Sequence, residues 1–339
     1  MQKSIKEMPK IVLHLHLDGS LRPETVQKWL QEKGNTCDLE EVKRNLMVEK
    51  DCRSLNEYLQ KFDLPAQVLQ DKEHIKIATY ELFEDLKNQG VIYAEVRFAP
   101  MKHTREGLTC DEVVASAIEG MNMAKEKCKI DGSLILCCMR GDKVLDNKKV
   151  VDSAKKFLGR GVSSIDLAGA EALFPTRDYQ EIFSEANKKG IPFTIHAGEA
   201  DGPESIKDAL RFGAKRIGHG VRCIEDEELI KTLVTTEIPL EICPISNLQT
   251  QAIQGKHPIE ELYKEGILVT ISPDNDTVSN TNIIEEYEWI LQNTELTEKD
   301  LIQMNINAAR FTFTTPVKKA ELIAKIQEYQ NKENKEFIK

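Results

Sequence analysis

The chain repeats one pattern along most of its length: a short apolar run of strand-like composition is followed by a longer stretch with helical periodicity. Such alternation predicts parallel strands joined by right-handed crossovers, and eight strands of this kind close into a barrel. We therefore predict a single α/β domain, a (β/α)8 TIM barrel that spans residues 1–339. The candidate strands cover residues 11–19, 91–100, 133–140, 163–170, 192–200, 216–222, 239–247 and 267–274.

A helical insertion of residues 20–90 is predicted between the first two strands, which lie much farther apart than the later ones. In it, Ser54 stands three residues before Glu57, the spacing of a capping box at the start of a helix. The helix that follows carries an apolar stripe, which in most helices faces the core. Because the insertion leaves from the C-terminal end of the first strand, we predict that it forms a lid over the barrel mouth. The stripe consists of Leu55, Tyr58, Leu59 and Phe62.

The first strand carries the most specific chemical signal. Side chains alternate between the two faces of a strand, so His14 and His16 point the same way, whereas a helix would separate them by about 200°. A lone histidine in an apolar strand is usually a hydrogen-bonded core residue. Two histidines on one face, with Asp18 two residues after the second, favour ligation of a shared metal ion.

Three later candidate strands end in residues of the same chemical kind. His196 and Glu199 follow one apolar run, His219 ends another between two glycines, and Asp274 ends the last. Barrel enzymes keep their chemistry at the C-terminal ends of the strands, where the side chains of several strands converge. The sequence therefore predicts a metal-dependent enzyme.

Composition narrows the class of partner and the compartment. With 46 basic and 56 acidic residues the formal net charge is −10, which disfavours nucleic acid as a partner and favours a small neutral substrate. The eight cysteines contain no Cys-x-x-Cys pair, and several lie within apolar runs, as reduced thiols do. No segment resembles a signal peptide or approaches the roughly 20 apolar residues of a membrane span. We expect a cytoplasmic protein that does not associate with membranes.

Seven motifs, in the order in which they occur, resemble the adenosine deaminase family. Together they cover nearly the whole chain, and the ordered set is far more specific than a lone His-x-His. They are His14-Leu15-His16-Leu17-Asp18-Gly19, Tyr93-Ala94-Glu95-Val96-Arg97-Phe98-Ala99-Pro100, Cys137-Cys138-Met139-Arg140, Ile165-Asp166-Leu167-Ala168-Gly169, His196-Ala197-Gly198-Glu199, Gly218-His219-Gly220 and Cys243-Pro244-Ile245-Ser246-Asn247.

The resemblance implies a reaction and a metal. It implies hydrolytic deamination of adenosine and 2′-deoxyadenosine to inosine, deoxyinosine and ammonia in purine salvage, by an aminohydrolase. The sequence leaves the oligomeric state open, with a monomer as one alternative. Glu199 would protonate N1 of the purine, and His219 would position the attacking water. One zinc ion per chain would activate that water for attack on C6, held by His14, His16, His196 and Asp274.

The resemblance also implies the substrate contacts. Asn275 corresponds to a family carboxylate that contacts N7, and Gly169 to a backbone donor to N3. Asp18 corresponds to the group that meets the ribose hydroxyls, and His16 borders the substrate beside it. The apolar stripe of the insertion corresponds to the hydrophobic lid.

Elementary chemistry supports these roles independently. Zinc bound by three neutral imidazoles and one carboxylate keeps a net positive charge, which acidifies a bound water toward neutral pH. Attack on an aromatic ring fails unless the ring nitrogen receives a proton. A carboxyl group in an enclosed pocket, as expected for Glu199, has its pKa raised enough to deliver one.

The last strand departs from the family pattern. Pro273 precedes Asp274 and removes a backbone N–H, and Asp276 adds a second candidate metal ligand. We favour Asp274 as the ligand because the residues that follow fix the alignment. Asn275 suits N7 chemically, since its amide NH₂ donates without the protonation that a carboxyl would need.

Other functions remain compatible with parts of the pattern. An adenine deaminase, or a deaminase of a modified adenine nucleoside, would use the same metal centre and differ in the ribose pocket. A barrel hydrolase of amides or phosphoesters often bridges two metals with a modified lysine, and no predicted strand contains a lysine. A binding protein on an inactive barrel would not need Glu199 beside intact ligands. The cytidine deaminase type requires Pro-Cys-x-x-Cys, which the chain lacks.

Overall fold

The computed structural model describes residues 2–49, 52 and 54–336. Its eight strands fall within or beside the predicted runs and alternate with helices, which confirms the predicted α/β barrel class. The strands are β1 (Lys10–His16), β2 (Val91–Phe98), β3 (Asp131–Met139), β4 (Val162–Ala168), β5 (Thr194–Ala197), β6 (Arg216–His219), β7 (Leu240–Ile242) and β8 (Val269–Ile271).

The strands pair in parallel as two four-stranded sheets, β1 to β4 and β5 to β8. Each seam between the sheets carries a single parallel bridge, Ile165 to Phe193 at one and Leu15 to Asp274 at the other. At the second seam the N–H groups of His16 and Asp274 donate to the carbonyls of Asp274 and His14, at 2.8 and 3.1 Å. The barrel thus consists of two half-barrels, and the β8–β1 seam passes through the residues predicted to form the site.

Helices cover the strands and fill the long first connection. The described residues form sixteen helices, several of them preceded by a short 3₁₀ turn. They are α1 (Gln2–Glu7), α2 (Pro23–Glu32), α3 (Leu39–Leu46), α4 (Leu55–Leu59), α5 (Asp63–Val68), α6 (Lys72–Asn88), α7 (Cys110–Cys128), α8 (Val144–Phe157), α9 (Gln180–Lys188), α10 (Pro203–Phe212), α11 (Glu227–Thr236), α12 (Pro244–Gln249), α13 (Ile259–Lys264), α14 (Ile283–Asn293), α15 (Glu298–Phe311) and α16 (Pro316–Glu336).

The strands end earlier at the barrel mouth than predicted. Within the predicted strands over 192–200 and 216–222, only the residues of β5 and β6 form strands, so each ends three residues before its predicted end. The backbone leaves the extended conformation at Gly198, His219 and Asp274, whose φ angles are +72°, +59° and +65°. The loops that follow are buried, so apolar residues continue past the ends of the strands, and composition alone cannot mark where the strands stop.

A network of charged side chains fills the barrel interior. Arg97 donates to Asp166 Oδ2 at 2.8 Å and to Glu241 Oε2 at 2.7 Å. Arg216 donates to Glu241 Oε1 at 2.6 Å and to Glu95 Oε2 at 2.7 Å. All five side chains are fully buried, and buried charges are tolerated only when they are paired. The network therefore fixes the strands beneath the site relative to one another.

The insertion between β1 and β2 forms α2 to α6. Ser54 caps α4 by accepting the N–H of Glu57 at 3.2 Å. The predicted single helix is interrupted, since a 3₁₀ turn over Gln60–Phe62 separates α4 from α5. Tyr58 is buried, and its hydroxyl lies 2.6 Å from Ser279 Oγ in the connection after β8. This bond attaches the insertion to the barrel mouth.

The C-terminal helix packs on the barrel. α16 runs from Pro316 to Glu336, and the last three residues lie outside the described part of the chain. Its Leu322 and Ile326 are buried in the core. Among the residues that the structure describes, no helix is long and apolar enough to cross a membrane.

Candidate active site

A cavity of about 300 Å³ opens at the C-terminal ends of the strands. His14 does not line it; it is fully buried beneath the other predicted metal ligands. All the remaining predicted site residues line the cavity: His16, Asp18, Leu55, Tyr58, Leu59, Phe62, Gly169, His196, Glu199, His219, Asp274 and Asn275. The structure therefore brings together side chains that are up to 261 positions apart, counted from His14 to Asn275.

The predicted ligand atoms converge on one point. His16 Nε2 lies 3.1 Å from His196 Nε2 and 3.4 Å from Asp274 Oδ1. His14 Nε2 lies 3.2 Å from the same Oδ1. Ligand atoms bound tetrahedrally to one zinc ion lie about 3.3 Å apart, given zinc–ligand distances of about 2.0–2.1 Å. The spacing of the four side chains matches such a coordination shell.

His14 Nε2 also has unused bonding capacity. The atom is buried and has no hydrogen-bond partner among the described residues, because its contact with Asp274 lacks hydrogen-bond geometry. The opposite ring nitrogen, Nδ1, lies 2.9 Å from Glu241 Oε2 and donates a proton to that carboxylate, so Nε2 is the nitrogen available to a metal. A ring nitrogen aimed into a cluster of imidazole and carboxylate groups fits a zinc ion.

Carboxylates lie behind both buried histidines. His196 Nδ1 lies 2.8 Å from Asp166 Oδ2, a close contact that lacks hydrogen-bond geometry, and Arg97 bridges Asp166 to Glu241. These residues lie in motifs that the sequence analysis singled out or in strand β7, but it assigned them no role. The available signal is a charged residue inside an apolar strand, such as Arg97 in β2 or Glu241 in β7.

Asp274 is held ionised at the centre of this cluster. Burial acts to raise its pKa, but the imidazole of His14, with those of His219 and His16, holds the pKa of Asp274 well below its usual range. Ser246 Oγ donates to its Oδ2 at 2.6 Å. Burial lowers the pKa of His16 to about 3 and also lowers that of His196, so both imidazoles are neutral. Neutral imidazoles and an ionised carboxylate are the forms that bind a metal.

A second set of four side chains overlaps the predicted one. Ligand atoms of His14, His196, His219 and Asp274 lie within 4.8 Å of one another, with His219 in place of His16. The hydrogen bonds of His219 argue against this set. Its Nδ1 lies 3.0 Å from Asn247 Nδ2, an amide donor, so Nε2 carries the proton. A protonated Nε2 has no lone pair for a metal, and it points toward Glu199 Oε2 at 3.6 Å.

Asp276 lies away from the cluster. Gln89 Nε2 donates to its Oδ2 at 3.3 Å, and its own N–H donates to Ser20 Oγ at 3.0 Å. Pro273 leaves Asp274 with a positive φ, and the carboxylate of Asp274 still reaches the histidines. The placement agrees with the preference for Asp274 over Asp276.

Glu199 is the candidate acid and is almost fully buried, at 4% exposure. Its Oε1 lies 3.0 Å from Thr250 Oγ, and His219 lies near Oε2. Burial, together with the negative charges of Asp274 and Glu171, raises the pKa of Glu199 well above its ordinary value. A carboxyl group of raised pKa keeps its proton to higher pH and is a better candidate to donate one.

Glu171 shapes the loop that carries Glu199. Its carboxylate accepts the backbone N–H groups of four consecutive residues, from Gly198 to Asp201, at 2.7, 3.0, 2.7 and 3.1 Å. It also accepts Ser205 Oγ–H at 2.5 Å. The sequence analysis gave Glu171 no role, since such a function depends on backbone geometry that the sequence does not display.

Asn275 packs tightly against the first loop. A Cβ atom added at Gly19 would lie 1.7 Å from Asn275 Oδ1, so only glycine fits at position 19. Asn275 is 1% exposed, and its Oδ1 has no hydrogen-bond partner in the described part of the chain. With the carbonyl end against Gly19, the NH₂ end of the amide is directed away from that backbone.

Comparisons with known proteins agree on one family. A sequence profile described as adenosine deaminase matches residues 9–329. The adenosine deaminase of Haemophilus ducreyi is 40% identical over 328 residues, which cover 94% of this chain and 95% of that protein.

Solved structures with the same fold include two other deaminases. The N6-mAMP deaminase of Arabidopsis has a TM-score of 0.86 and 27% identity, and the match covers 96% of this chain and 99% of that one. The adenine deaminase of Arthrobacter aurescens has a TM-score of 0.87 and 24% identity, with coverage of 96% and 99%. At that identity the second likeness shows the fold alone.

Proposed function

This chain belongs to the adenosine deaminase family, and on that premise we propose that it hydrolyses adenosine and 2′-deoxyadenosine to inosine, deoxyinosine and ammonia in purine salvage. The observation that carries the proposal is a buried acid, Glu199, in the same cavity as the convergent histidine and aspartate side chains. A relative with 40% identity over nearly the whole chain supports the substrate.

We propose that His14, His16, His196 and Asp274 hold one zinc ion. The spacing of their ligand atoms, the unpaired Nε2 of His14 and the mixed imidazole–carboxylate set support this choice. When bound, zinc supplies Lewis acidity, which lowers the pKa of a coordinated water and makes it a nucleophile at neutral pH.

The two-metal hydrolase alternative needs a lysine at the mouth. β1 begins at Lys10, which corrects the expectation of no strand lysine, but Lys10 Nζ donates to Met8 O at the opposite end of the strand.

Two of the chain's own groups act on the reacting atoms. Glu199 donates a proton to N1, which withdraws electron density from C6 and opens it to attack. His219, whose Nε2–H faces Glu199 across 3.6 Å, orients the water by hydrogen bonding. Asn247 fixes the ring of His219 through Nδ1. Both acid and imidazole are thus positioned before the substrate arrives.

Further residues of the cavity recognise the substrate. The NH₂ group of Asn275 donates to N7, and the N–H of Gly169 donates to N3. Asp18 and the adjoining His16 face the ribose. Leu55, Leu59 and Phe62, with the buried ring of Tyr58, cover the purine and exclude water. These apolar side chains belong to residues 20–90, which we propose act as a lid on a single domain of residues 1–339.

A nucleoside suits the cavity better than free adenine, one rival within the class. Asp18 lines the cavity, and its Oδ1 has no hydrogen-bond partner among the described residues. Free adenine would leave this oxygen unpaired, whereas a sugar hydroxyl would donate a hydrogen bond to it. Modified adenine nucleotides such as N6-methyl-AMP are a second rival, because Lys102, Arg105 and Arg140 also line the cavity and would attract a phosphate.

We also propose that the enzyme acts in the cytoplasm, without nucleic acid or membrane partners. No disulfide bond joins the cysteines in the described part of the chain, and four of the six buried cysteines lie in the barrel's core clusters, which supports a reducing compartment. The net charge of −10 supports the absence of a nucleic acid partner.

The proposed function is tested by the ultraviolet absorbance change with adenosine, 2′-deoxyadenosine, adenine and N6-methyl-AMP as rival substrates. We expect kcat/KM for the two nucleosides to exceed that for adenine by at least about a hundredfold, because the ribose contacts contribute to transition-state binding, and also to exceed that for the nucleotide. Higher kcat/KM with adenine or the nucleotide would replace the proposed substrate by that compound.

A further inference from the structure

His103 is a buried histidine of the cavity with no role in the proposed reaction. It ends the 3₁₀ turn Pro100–His103, directly after β2, and it lines the cavity at 1% exposure. Neither of its ring nitrogens has a hydrogen-bond partner among the described residues. Two unpaired ring nitrogens are costly in a buried position, which a phenylalanine would occupy without that cost. The cost is offset if a ligand supplies the missing bond.

The neighbour of His103 in the cavity is Asp18. His103 Nε2 lies 3.7 Å from Asp18 Oδ2, beyond hydrogen-bond distance, and Asp18 Oδ1 is unpaired within the described chain as well. An imidazole nitrogen beside a carboxylate oxygen offers one donor and one acceptor. A hydroxyl group accepts and donates at once, so it satisfies both.

The backbone around His103 is held rigidly. Gln70 Nε2 donates to the carbonyl of Lys102 at 2.9 Å, and Gln70 Oε1 accepts the N–H groups of Arg105 and Glu106 at 2.8 and 3.3 Å. The ring of Phe98 lies beside that of His103, with centroids 6.1 Å apart. Such support keeps the imidazole in place before a ligand binds, as a recognition site requires.

The two residues occupy one side of the mouth. The polar groups proposed to act on the purine and on the attacking water lie at the ends of β4, β5, β6 and β8, whereas Asp18 and His103 follow the adjacent strands β1 and β2. We propose that His103 is a specificity-determining residue that binds, jointly with Asp18, one hydroxyl group of the nucleoside sugar. This inference rests on the proposed function and deepens it, because it explains how the site distinguishes nucleosides from free adenine.

The test compares kcat/KM for adenosine and for its 2′-, 3′- and 5′-deoxy analogues in the unaltered chain, His103→Phe and His103→Gln. We expect one deoxy analogue to be poorer than adenosine by about tenfold to a hundredfold in the unaltered chain, the usual effect of one unpaired buried group. His103→Phe should lower kcat/KM for adenosine by a similar factor and leave that analogue nearly unchanged. His103→Gln keeps a donor and should retain part of the discrimination.

His74→Phe is the matched control, because His74 stacks on Trp29 and lies outside the cavity. It should leave all four kcat/KM values unchanged. If His103→Phe lowers kcat/KM equally for all four substrates, or for none of them, His103 does not contact a sugar hydroxyl. The inference is then wrong, although the proposed function stands. Absence of adenosine turnover by the unaltered chain would instead overturn the proposed function, and the inference with it.

Discussion

At the scale of single residues, His16 and His219 compete for one place in the metal shell. The hydrogen bond from Asn247 to His219 Nδ1 places the proton on Nε2, which is why we propose His16 as the ligand. We expect His16→Ala to lose most of its zinc and His219→Ala to retain nearly one zinc per chain, measured by elemental analysis after dialysis. His74→Ala, outside the cluster, should retain zinc fully. The reverse pattern would assign the ligand role to His219.

Glu199 is expected to act through its acidic proton. Glu199→Gln keeps the shape and hydrogen-bonding reach of the side chain but supplies no acidic proton to N1. We expect kcat to fall by about 10²–10⁴-fold or more, the usual contribution of a general acid, with zinc content and substrate binding preserved. The exposed carboxylate of Glu204, which pairs with Lys207, provides the control, and Glu204→Gln should leave kcat unchanged. A Glu199→Gln enzyme within tenfold of the native rate would show that another group protonates the ring.

The sequence indicated which side chains come together in the cavity. It did not indicate which buried charged residues hold those side chains in place. His14, His196 and Asp274 come together as their positions at strand ends predict. Arg97 and Glu241 received no role, because a charged residue is expected at the surface and their partners lie 25 to 227 positions away in the sequence. Only the closure of the barrel brings these groups into contact.

At the scale of elements, the insertion is attached to the mouth by the bond between Tyr58 and Ser279. Ser279 belongs to the turn that carries Asn275, since its N–H donates to the Asn275 carbonyl at 3.1 Å. We expect Tyr58→Phe to raise KM for adenosine several-fold, as loss of about 1 kcal/mol of hydrogen bonding would do, with a smaller effect on kcat.

Tyr80→Phe is the matched control for Tyr58→Phe. Tyr80 also loses one hydroxyl contact, at 2.7 Å from Glu84 on α6, but it lies outside the cavity. The KM of Tyr80→Phe for adenosine should therefore equal that of the unaltered chain. Equal changes in KM for the two variants would mean that Tyr58 stabilises the fold without acting on the lid.

The order and number of strands followed from the sequence, whereas the ends of the elements did not. Apolar runs mark β1 to β8 because parallel strands are buried on both faces. The predicted helix after Ser54 is divided between α4, a 3₁₀ turn and α5, although its stripe of side chains lines the cavity as expected. Periodicity reports which face is buried, and it does not report where the backbone changes direction.

At the scale of the whole molecule, Lys10 couples stability to pH. Burial lowers its pKa from 10.5 to about 7. Between these values the unfolded chain binds a proton that the folded chain has released, so the free energy of unfolding rises with pH. The contribution has a limiting slope of about 1.4 kcal/mol per pH unit.

We expect Lys10→Met to lack this rise, so that denaturant midpoints of the native and variant chains diverge between about pH 7.5 and 9 in favour of the native chain. Lys125, which is 60% exposed at its side chain, provides the control, and Lys125→Met should follow the native pH dependence. Parallel pH dependence of the native chain and Lys10→Met would show that Lys10 is protonated in the folded state.

The two half-barrels divide the site between them. The first half-barrel carries His14, His16 and Asp18, whereas the second carries His196, Glu199, His219 and Asp274. A chain cleaved in the connection between β4 and β5 would yield two fragments, neither of which carries a complete set of zinc ligands. Deamination would then return only when the fragments associate, which makes this seam a division point for a split-enzyme reporter of molecular proximity.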